Sequence, residues 1–415
     1  MRTLAEWLEF IERQHPKTIA LGLDRVSTVL ARMRIGLACP VITVAGTNGK
    51  GSCCALLEAM LRAGGYRTGL YTSPHLVRYS ERVRVAGLEA SDSALCESFE
   101  VVESARSETA LTYFEYGTLA ALWLFAREAI EVAILEVGLG GRLDAVNAID
   151  ADCAVLTSVG IDHIDYLGAD RESIGREKAG IFRAGRPAVI AEPKPPQSVL
   201  NAPGNKLLLG QHFGYADEQT QWSYWGPSGK RGGLAHPALR GAVQLRNAAA
   251  AMCALDCLRE KLPLGMQEIR RGLAEVTLPA RFQVLPGRPQ IILDVAHNPQ
   301  AAQVLADNLA SSGFAPDTIA VCGMLRDKDA AGVLRTLAPR ITRWHLASLA
   351  GARGATADEL ARHLDAPLER FDSPAGAFAA ALSRANENDK IVVFGSFLTV
   401  GEVMEWLKNN KTSKR

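Results

Sequence analysis

Two patterns of hydrophobic positions alternate along the chain. Short runs rich in valine and isoleucine, such as residues 41–45 and 132–137, lack a strict alternation with polar residues, which is typical of strands buried on both faces. Longer segments with helical periodicity, such as residues 52–63 and 116–128, separate these runs. Strands that alternate with helices predict a mostly parallel sheet covered by helices on both sides.

This alternation is interrupted and then restarts. Residues 193–237 are rich in Pro, Gly, Trp and Tyr with little periodicity, which predicts a loop with short strands. The segment LPARFQVLPGRP carries three prolines and a glycine before the strand and helix patterns resume. We therefore predict an α/β protein with an N-terminal domain at 1–279, a hinge at 280–289 and a smaller Rossmann-like α/β domain at 290–415.

Composition and charge narrow the class of protein. The 415 residues are 48% hydrophobic and 22% charged, as in ordinary globular proteins of two domains. Lys and Arg number 46 against 45 Asp and Glu, which argues against a nucleic-acid partner bound by a basic surface. The sequence has neither a membrane-spanning stretch nor a secretory signal, and its eight cysteines form no C-x-x-C pair. We predict a cytoplasmic protein with no membrane partner.

The turn GTNGKGS at 46–52 joins a predicted strand to a predicted helix. Unpaired backbone amides and the helix dipole favour an anion at such a helix start. Lys50 would reach the terminal phosphates of a nucleotide, and the Ser52 hydroxyl would bind magnesium. The turn departs from the common phosphate loop because Gly51 separates the lysine from the hydroxyl. A purely structural glycine turn is the alternative, but the flanking strand, helix and lysine favour nucleotide binding.

Other polar residues follow predicted strands, where ligands collect in such sheets. Glu136 ends an apolar run, so it needs a partner, either a divalent cation or a salt bridge. His163 follows another strand, and taken alone it is a hydrogen-bonded structural histidine, since magnesium prefers oxygen ligands. Lys178 reads as a solvated charge on a helix. Asp294 and His297 end a strand of the second domain.

Ten stretches together resemble the folylpolyglutamate synthase family of ATP-dependent amide ligases, and more closely its bifunctional branch, which also makes dihydrofolate. They run in family order from about residue 17 to about residue 395, and the region 193–237 departs most. The stretches are KTIALGLDRV, VAGTNGKGS, YTSPHLVRYSERVRV, LTYFEYGT, ILEVGLGGRLDAVN, DHIDYLG, RESIGREKAGIFR, LPARFQV, DVAHNP and GMLRDKD.

The resemblance implies roles for matching positions. ATP would be held by Thr47, Asn48, Gly49, Lys50, Gly51 and Ser52, and its base and ribose by Asn247, Arg281 and Asp294. Two Mg²⁺ ions would be bound through Ser52, Ser73, Glu136 and His163. Lys50, a carboxylated Lys178 and His297 would take part in catalysis. The pterin would be bound by Thr18, Ile19, Ala20, Leu21, Thr112, Tyr113, Phe114, Glu115, Leu143, Asp144 and Ala145.

The implied reaction joins L-glutamate to dihydropteroate, giving dihydrofolate, and to the glutamate tail of reduced folates. It proceeds through an acyl phosphate and releases ADP and phosphate. The resemblance also implies a Mur-ligase-like monomer whose partners are these small molecules.

Three alternatives remain. The chain could extend folate tails only. It could be a Mur-type cell-wall ligase, although only about forty residues precede the phosphate turn, which is short for a sugar-nucleotide domain. It could also be a nucleotide-dependent switch, although a guanine-reading N-K-x-D motif is absent.

Overall fold

The computed structural model describes residues 2–17 and 19–412. These residues divide into two compact units. The second unit comprises 76–78, 239–243 and the described chain from Thr277 onward, and the first unit comprises the other described residues.

The first unit is built on one large sheet, which contains eight strands within the described residues. The strands are β1 (Val41–Ala45), β2 (Thr68–Tyr71), β3 (Val83–Val85), β4 (Leu88–Glu89), β5 (Val132–Glu136), β6 (Cys153–Leu156), β7 (Pro187–Ile190) and β8 (Asn205–Leu208). Their order is β4-β3-β2-β5-β1-β6-β7-β8. All neighbouring strands are parallel except at the β3 and β4 edge, which is antiparallel. Every residue of β1 and β5 is buried, which explains why their sequences do not alternate.

Helices surround this sheet. They are α1 (Leu4–Glu12), α2 (Asp24–Met33), α3 (Lys50–Ala63), α4 (Asp92–Arg106), α5 (Tyr113–Arg127), α6 (Ile164–Leu167), α7 (Arg171–Ala179), α8 (Gln197–Leu200), α9 (Val243–Cys257) and α10 (Met266–Glu275). Local sequence defines several starts, because the side chains of Thr3, Ser91, Thr112 and Asp170 each accept a hydrogen bond from a backbone amide of the first turn. Helices α3 and α10 pack closely at Gly272, where an added Cβ would lie 2.5 Å from the Met60 Cα.

The irregular region after β8 folds into a small antiparallel sheet. Its strands are β9 (Gly214–Asp217), β10 (Trp222–Gly226) and β11 (Gly229–Leu234), with β10 in the centre. Asp256 of α9 anchors it, since one carboxylate oxygen accepts a 2.6 Å hydrogen bond from the Tyr224 hydroxyl and the other a 2.7 Å bond from Arg231. All three side chains are largely buried, so this polar contact joins the small sheet to α9 away from solvent.

The second unit is a smaller α/β layer structure. Its sheet has the order β12-β13-β17-β14-β15-β16, formed by β12 (Gln283–Leu285), β13 (Gln290–Leu293), β14 (Thr318–Cys322), β15 (Arg343–Ala347), β16 (Leu368–Phe371) and β17 (Lys390–Phe394). Its helices are α11 (Pro299–Ser311), α12 (Ala330–Leu337), α13 (Ala357–Ala361), α14 (Pro374–Arg384) and α15 (Phe397–Thr412). Helices α11 to α13 contribute to one hydrophobic cluster and α14 and α15 to another, as expected for a sheet covered on both faces.

The predicted fold class is confirmed: a mostly parallel N-terminal sheet and a smaller C-terminal α/β unit. The last passage of the chain from the first unit to the second falls at Thr277, and the predicted domain bounds of 1–279 and 290–415 stay predictions. The predicted hinge, 280–289, contains β12, which pairs antiparallel with β13 and is part of the second sheet. A hinge role for this segment stays a prediction.

Across the described residues, none of the helices has both the length and the apolar character required to cross a bilayer. All eight cysteines are free thiols.

We expect Asp256→Ala to lower the free energy of unfolding by about 3 kcal/mol, because Arg231 and the Tyr224 hydroxyl would lose their buried acceptor. Urea denaturation measures this change. Glu275→Ala is the control, since its ion pair with Arg271 is mostly exposed and such pairs contribute less than about 1 kcal/mol. Equal losses in the two variants would show that the Asp256 contact does not stabilise the protein.

Candidate active site

The turn between β1 and α3 is fastened to the end of β6. The Thr47 amide donates to the Ser158 carbonyl at 2.9 Å. The hydroxyls of Thr157 and Ser158 donate to the Asn48 carbonyl at 2.7 and 3.0 Å. The Thr47 hydroxyl also donates to the Gly160 carbonyl at 3.1 Å. These bonds fix the backbone of the turn from the neighbouring strand, since β1 and β6 are adjacent and parallel.

Two glycines in the turn have no room for a side chain. An added Cβ on Gly46 would lie 1.9 Å from the Thr157 hydroxyl oxygen, and one on Gly49 would lie 2.7 Å from Asn247 Oδ1. Gly49 also has φ of +89° and begins α3 without a side-chain cap, a conformation that favours glycine. The first amides of α3 are therefore available to an anion.

Lys50 lies over this turn. Its ammonium group donates to the carbonyls of Gly46 and Thr47 at 3.0 and 3.3 Å, so a positive charge stands beside the helix start. Ser52, in the first turn of α3, is buried. The arrangement provides backbone donors, a cation and a hydroxyl within a few residues, which is what a polyphosphate requires.

Glu136 ends β5 beside this turn, paired in register with Val44 of β1. Its side chain is only 5% exposed, and its Oε2 accepts a 3.2 Å hydrogen bond from the Ser73 amide. Ser73 follows β2, the other neighbour of β5. The sheet thus brings Ser73 and Glu136 together, as their positions at strand ends predict.

His163 lies past the end of β6, at the start of α6, with φ of +53°. Its Nε2 is 4.0 Å from Asp162 Oδ2, and its side chain is 31% exposed. The side chain is therefore accessible to a ligand, while a role in metal binding stays a prediction.

Three of the four predicted metal ligands, Ser52, Ser73 and Glu136, carry oxygen atoms that suit a hard cation, whereas the His163 imidazole suits it less well. In the chain from 2 to 17 and 19 to 412, no three or more His, Cys, Asp and Glu side chains form a group that could hold a metal ion. The predicted set contains only two residues of those types, Glu136 and His163, together with Ser52 and Ser73. The buried Glu136 carboxylate and Ser52 hydroxyl are oxygen donors of the kind magnesium prefers, and magnesium usually completes its shell with phosphate oxygens and water.

Lys178 does not occupy the environment that its local sequence suggests. The interpretation as a solvated charge is wrong, because the residue is only 5% exposed on α7. Its neighbour Glu177 instead forms an ion pair with Arg142 at 2.8 Å. A lysine buried this far must interact with other polar groups or change its charge.

The predicted pterin-binding residues come from three segments, and the structure joins them. The Gly22 amide donates to the Leu143 carbonyl at 3.2 Å. Arg25 donates to the Ala20 carbonyl at 2.6 Å and also binds Glu115 at the start of α5. Ile19 to Leu21, Thr112 to Glu115 and Leu143 to Ala145 are thereby connected, and Thr18 lies outside the described residues.

Asp144 is buried in this region. Its two carboxylate oxygens accept hydrogen bonds from the amides of Leu139 and Val146 at 2.8 and 3.0 Å. Burial raises the pKa of Asp144 from 3.8 to about 7, although those bonds and the charge of Lys50 act in the opposite direction.

Three further predicted residues, Arg281, Asp294 and His297, belong to the second unit. Asp294 accepts 2.8 Å hydrogen bonds from the amides of Phe282 and Ala296. Burial raises the pKa of Asp294, while the nearby Arg281 guanidinium lowers it. The Arg281 guanidinium carbon is 5.2 Å from the centre of the Phe397 ring, and the His297 ring centre is 6.3 Å from it.

Sequence reasoning missed several residues that build these sites. Thr157 and Ser158 bind the phosphate turn. The sequence feature that could have identified them is a pair of hydroxyl residues directly after a buried strand. Phe397 lies beside Arg281 and His297. The sequence feature that could have identified it is an aromatic residue just after the last strand. Arg25 lies within the stretch KTIALGLDRV, but nothing in its spacing indicates its partner.

The glycine turn with a lysine at the strand ends of a mostly parallel sheet fits a nucleotide-binding protein, and two family models identify the chain as a Mur-type ATP-dependent ligase. Residues 44–255 match the Mur ligase middle domain, and residues 280–397 match the Mur ligase glutamate ligase domain.

Similar individual proteins show which family of Mur ligases the chain belongs to. The chain is 49% identical over 409 residues to the dihydrofolate synthase/folylpolyglutamate synthase of Escherichia coli strain K12, covering 97% of this chain and 95% of that protein. The solved structure of E. coli FolC with DHPP and ADP superposes with a TM-score of 0.95 at 47% identity over 99% of each chain. A bifunctional folylpolyglutamate synthase/dihydrofolate synthase with Mn, AMPPNP and L-glutamate bound gives a TM-score of 0.91 at 45% identity over 98% of each chain. The chain belongs to the dihydrofolate synthase/folylpolyglutamate synthase family of Mur ligases.

We expect Gly49→Ala to weaken ADP binding at least about tenfold, because the new methyl group would displace either the turn or Asn247. Isothermal titration calorimetry measures the affinity. Gly65→Ala is the matched control, since Gly65 has φ of +85° but open space around its Cβ position. If both variants bound ADP equally well, close packing at Gly49 would not be needed for nucleotide binding.

Asp144 should make stability depend on pH. Its folded pKa of about 7 lies above the ordinary 3.8, so the folded state disfavours the carboxylate, and stability falls as pH rises from about 4 to about 7. Over that range the wild type should lose up to about 4 kcal/mol relative to Asp144→Asn. Urea unfolding at several pH values measures both proteins. A constant difference between them would contradict the expectation.

Proposed function

We propose that this chain joins L-glutamate to dihydropteroate, giving dihydrofolate, and to the glutamate tail of reduced folates. ATP would be converted to ADP and phosphate in each cycle. The observation that carries the proposal is the phosphate turn, with Lys50 lying over glycines that admit no side chain. Relatives bound to ADP, DHPP and L-glutamate support it.

The chemistry follows from the poor reactivity of a carboxylate, whose negative charge repels an attacking amine. Transfer of a phosphoryl group from ATP would give an acyl phosphate with a good leaving group. Lys50 and the first amides of α3 would neutralise charge on the transferring group. The amine of glutamate must also lose a proton, and His297 is the candidate acceptor.

We assign the cofactor as Mg²⁺, with two ions held through Ser52, Ser73, Glu136 and His163. A bound magnesium ion supplies charge neutralisation on the phosphates. Support comes from the buried carboxylate and hydroxyl of Glu136 and Ser52, and a related structure contains Mn with a nucleotide analogue.

Lys178 is proposed to be carboxylated by carbon dioxide. Carboxylation would convert a buried cation into an anion able to act near a metal ion, and the 5% exposure of this residue supports the proposal. A monomeric state and a cytoplasmic location are further proposals for this enzyme.

Extension of folate tails alone is the second candidate function, favoured by a 31% identical relative, the folylpolyglutamate synthase of Lacticaseibacillus casei. An assay of phosphate release by the purified protein with ATP, magnesium, glutamate and each pterin acid distinguishes the two candidate functions. Phosphate release with dihydropteroate and also with a reduced folate monoglutamate supports both activities, whereas release with the folate monoglutamate alone supports tail extension only. Release with neither acid would refute the proposal.

We expect Lys50→Ala to lower kcat for both ligations at least about 100-fold, because the transferring phosphoryl group would lose its cation. Coupled detection of ADP release measures turnover. Lys230→Ala, which removes an exposed lysine from β11, is the control and should be unchanged. Turnover within twofold of wild type in Lys50→Ala would remove Lys50 from the mechanism.

A further inference from the structure

Arg25 joins segments that carry most of the predicted pterin-binding residues. It is the second residue of α2, and its Nε lies 3.0 and 3.2 Å from the two carboxylate oxygens of Glu115. Its Nη2 lies 2.8 Å from Glu115 Oε1 and donates to the Ala20 carbonyl at 2.6 Å. One guanidinium therefore binds both the segment before α2 and the start of α5.

Glu115 extends this connection into α5. Its Oε2 accepts a 2.7 Å hydrogen bond from the Thr112 amide, while its own amide donates to the Thr112 hydroxyl at 3.3 Å. This capping box sets the position of residues 112–115 at the helix start. The carboxylate that completes the cap is thus the same one that Arg25 holds.

The segment before α2 has little regular structure. Residues 19–22 belong to no helix or strand, and Leu23, the residue before α2, makes no side-chain hydrogen bond that caps the helix. The hydrogen bonds from Arg25 to Ala20 and from the Gly22 amide to Leu143 fasten the segment on both sides. Loss of either bond would leave the backbone at 19–21 less well fixed against its neighbours.

The ion pair is largely removed from water, since the side chains of Arg25 and Glu115 are 28% and 4% exposed. Hydrogen bonds that involve charged groups are stronger than neutral ones, and the planar guanidinium can bind a carboxylate and a carbonyl at once. A lysine ammonium offers no such fork, so it would keep the charge without the full geometry.

We propose that Arg25 is a positioning residue for substrates that carry a pterin ring: it holds residues 19–21 and 112–115 in the arrangement that receives the ring. This inference rests on the proposed function, which supplies the pterin acids, and on the predicted pterin-binding role of residues 19–21 and 112–115. Arg25 acts through Ala20 and Glu115 and takes no part in phosphoryl transfer.

Steady-state kinetics of three variants test this role. In Arg25→Gln, the KM for dihydropteroate and for a reduced folate monoglutamate should rise at least about tenfold. The kcat, and the KM values for ATP and glutamate, should stay within about threefold of wild type. Arg25→Lys should recover part of the loss in KM, because the charge beside Glu115 is kept.

Arg32→Gln is the matched control. Arg32 lies on the same helix and also donates outside it, to the Arg106 carbonyl at 2.9 Å and to the Thr109 hydroxyl at 3.2 Å. It contacts none of the predicted pterin residues through these bonds. All of its kinetic constants should match the wild type, while thermal denaturation compares the stability of the two glutamine variants.

The outcomes separate the two hypotheses. An unchanged KM for pterin acids in Arg25→Gln, with an active wild type, overturns the positioning role and leaves the proposed function intact. An equal rise in the KM for ATP also overturns it, because the damage would then be general. A wild type that turns over neither pterin acid overturns the proposed function and this inference together.

Discussion

The conformation of the backbone at 46–49 is the constraint on which the candidate site depends. The turn must bring amides and a lysine to one point, and its own sequence, rich in glycine, cannot fix that conformation alone. Rigidity comes from the next strand, where Thr157 and Ser158 bind the Asn48 carbonyl. Strand pairing between β1 and β6 therefore determines the geometry of the turn.

The same sheet determines which other groups stand near the turn. Glu136 is in register with Val44, and Ser73 follows the strand on the far side of β5. In a parallel sheet these strand ends lie at one edge. Strand pairing alone therefore makes neighbours of residues that are far apart in sequence. Because burial makes a carboxylate costly, the hydrogen bond that Glu136 accepts from the Ser73 amide helps to keep this side chain at the strand end.

The sequence predicted those helices, strands and turns that are specified by a few neighbouring residues. The valine and isoleucine runs of β1 and β5 and the glycine turn before α3 were clear, and Glu136 could be placed at a strand end from spacing alone. The burial of Lys178 could not be predicted, because the charged sequence of α7 has only a weak apolar face. The Arg25–Glu115 pair joins positions ninety residues apart, and β12 lies in a segment whose prolines and glycine suggest a linker. The assignments of individual ligands to these residues stay predictions.

Helix α9 has a consequence for anyone who wishes to shorten this protein. Near its start, Asn247 lies against Gly49, and at its end Asp256 holds the small antiparallel sheet. The nine residue steps from Asn247 to Asp256 span about 14 Å of helix. Deletion of residues 214–234 would remove the small sheet that packs on the C-terminal end of α9. The N-terminal part of the same helix contacts the phosphate turn through Asn247. A minimal enzyme must keep that sheet, whereas its exposed turn at 218–221 can accept a reporter peptide.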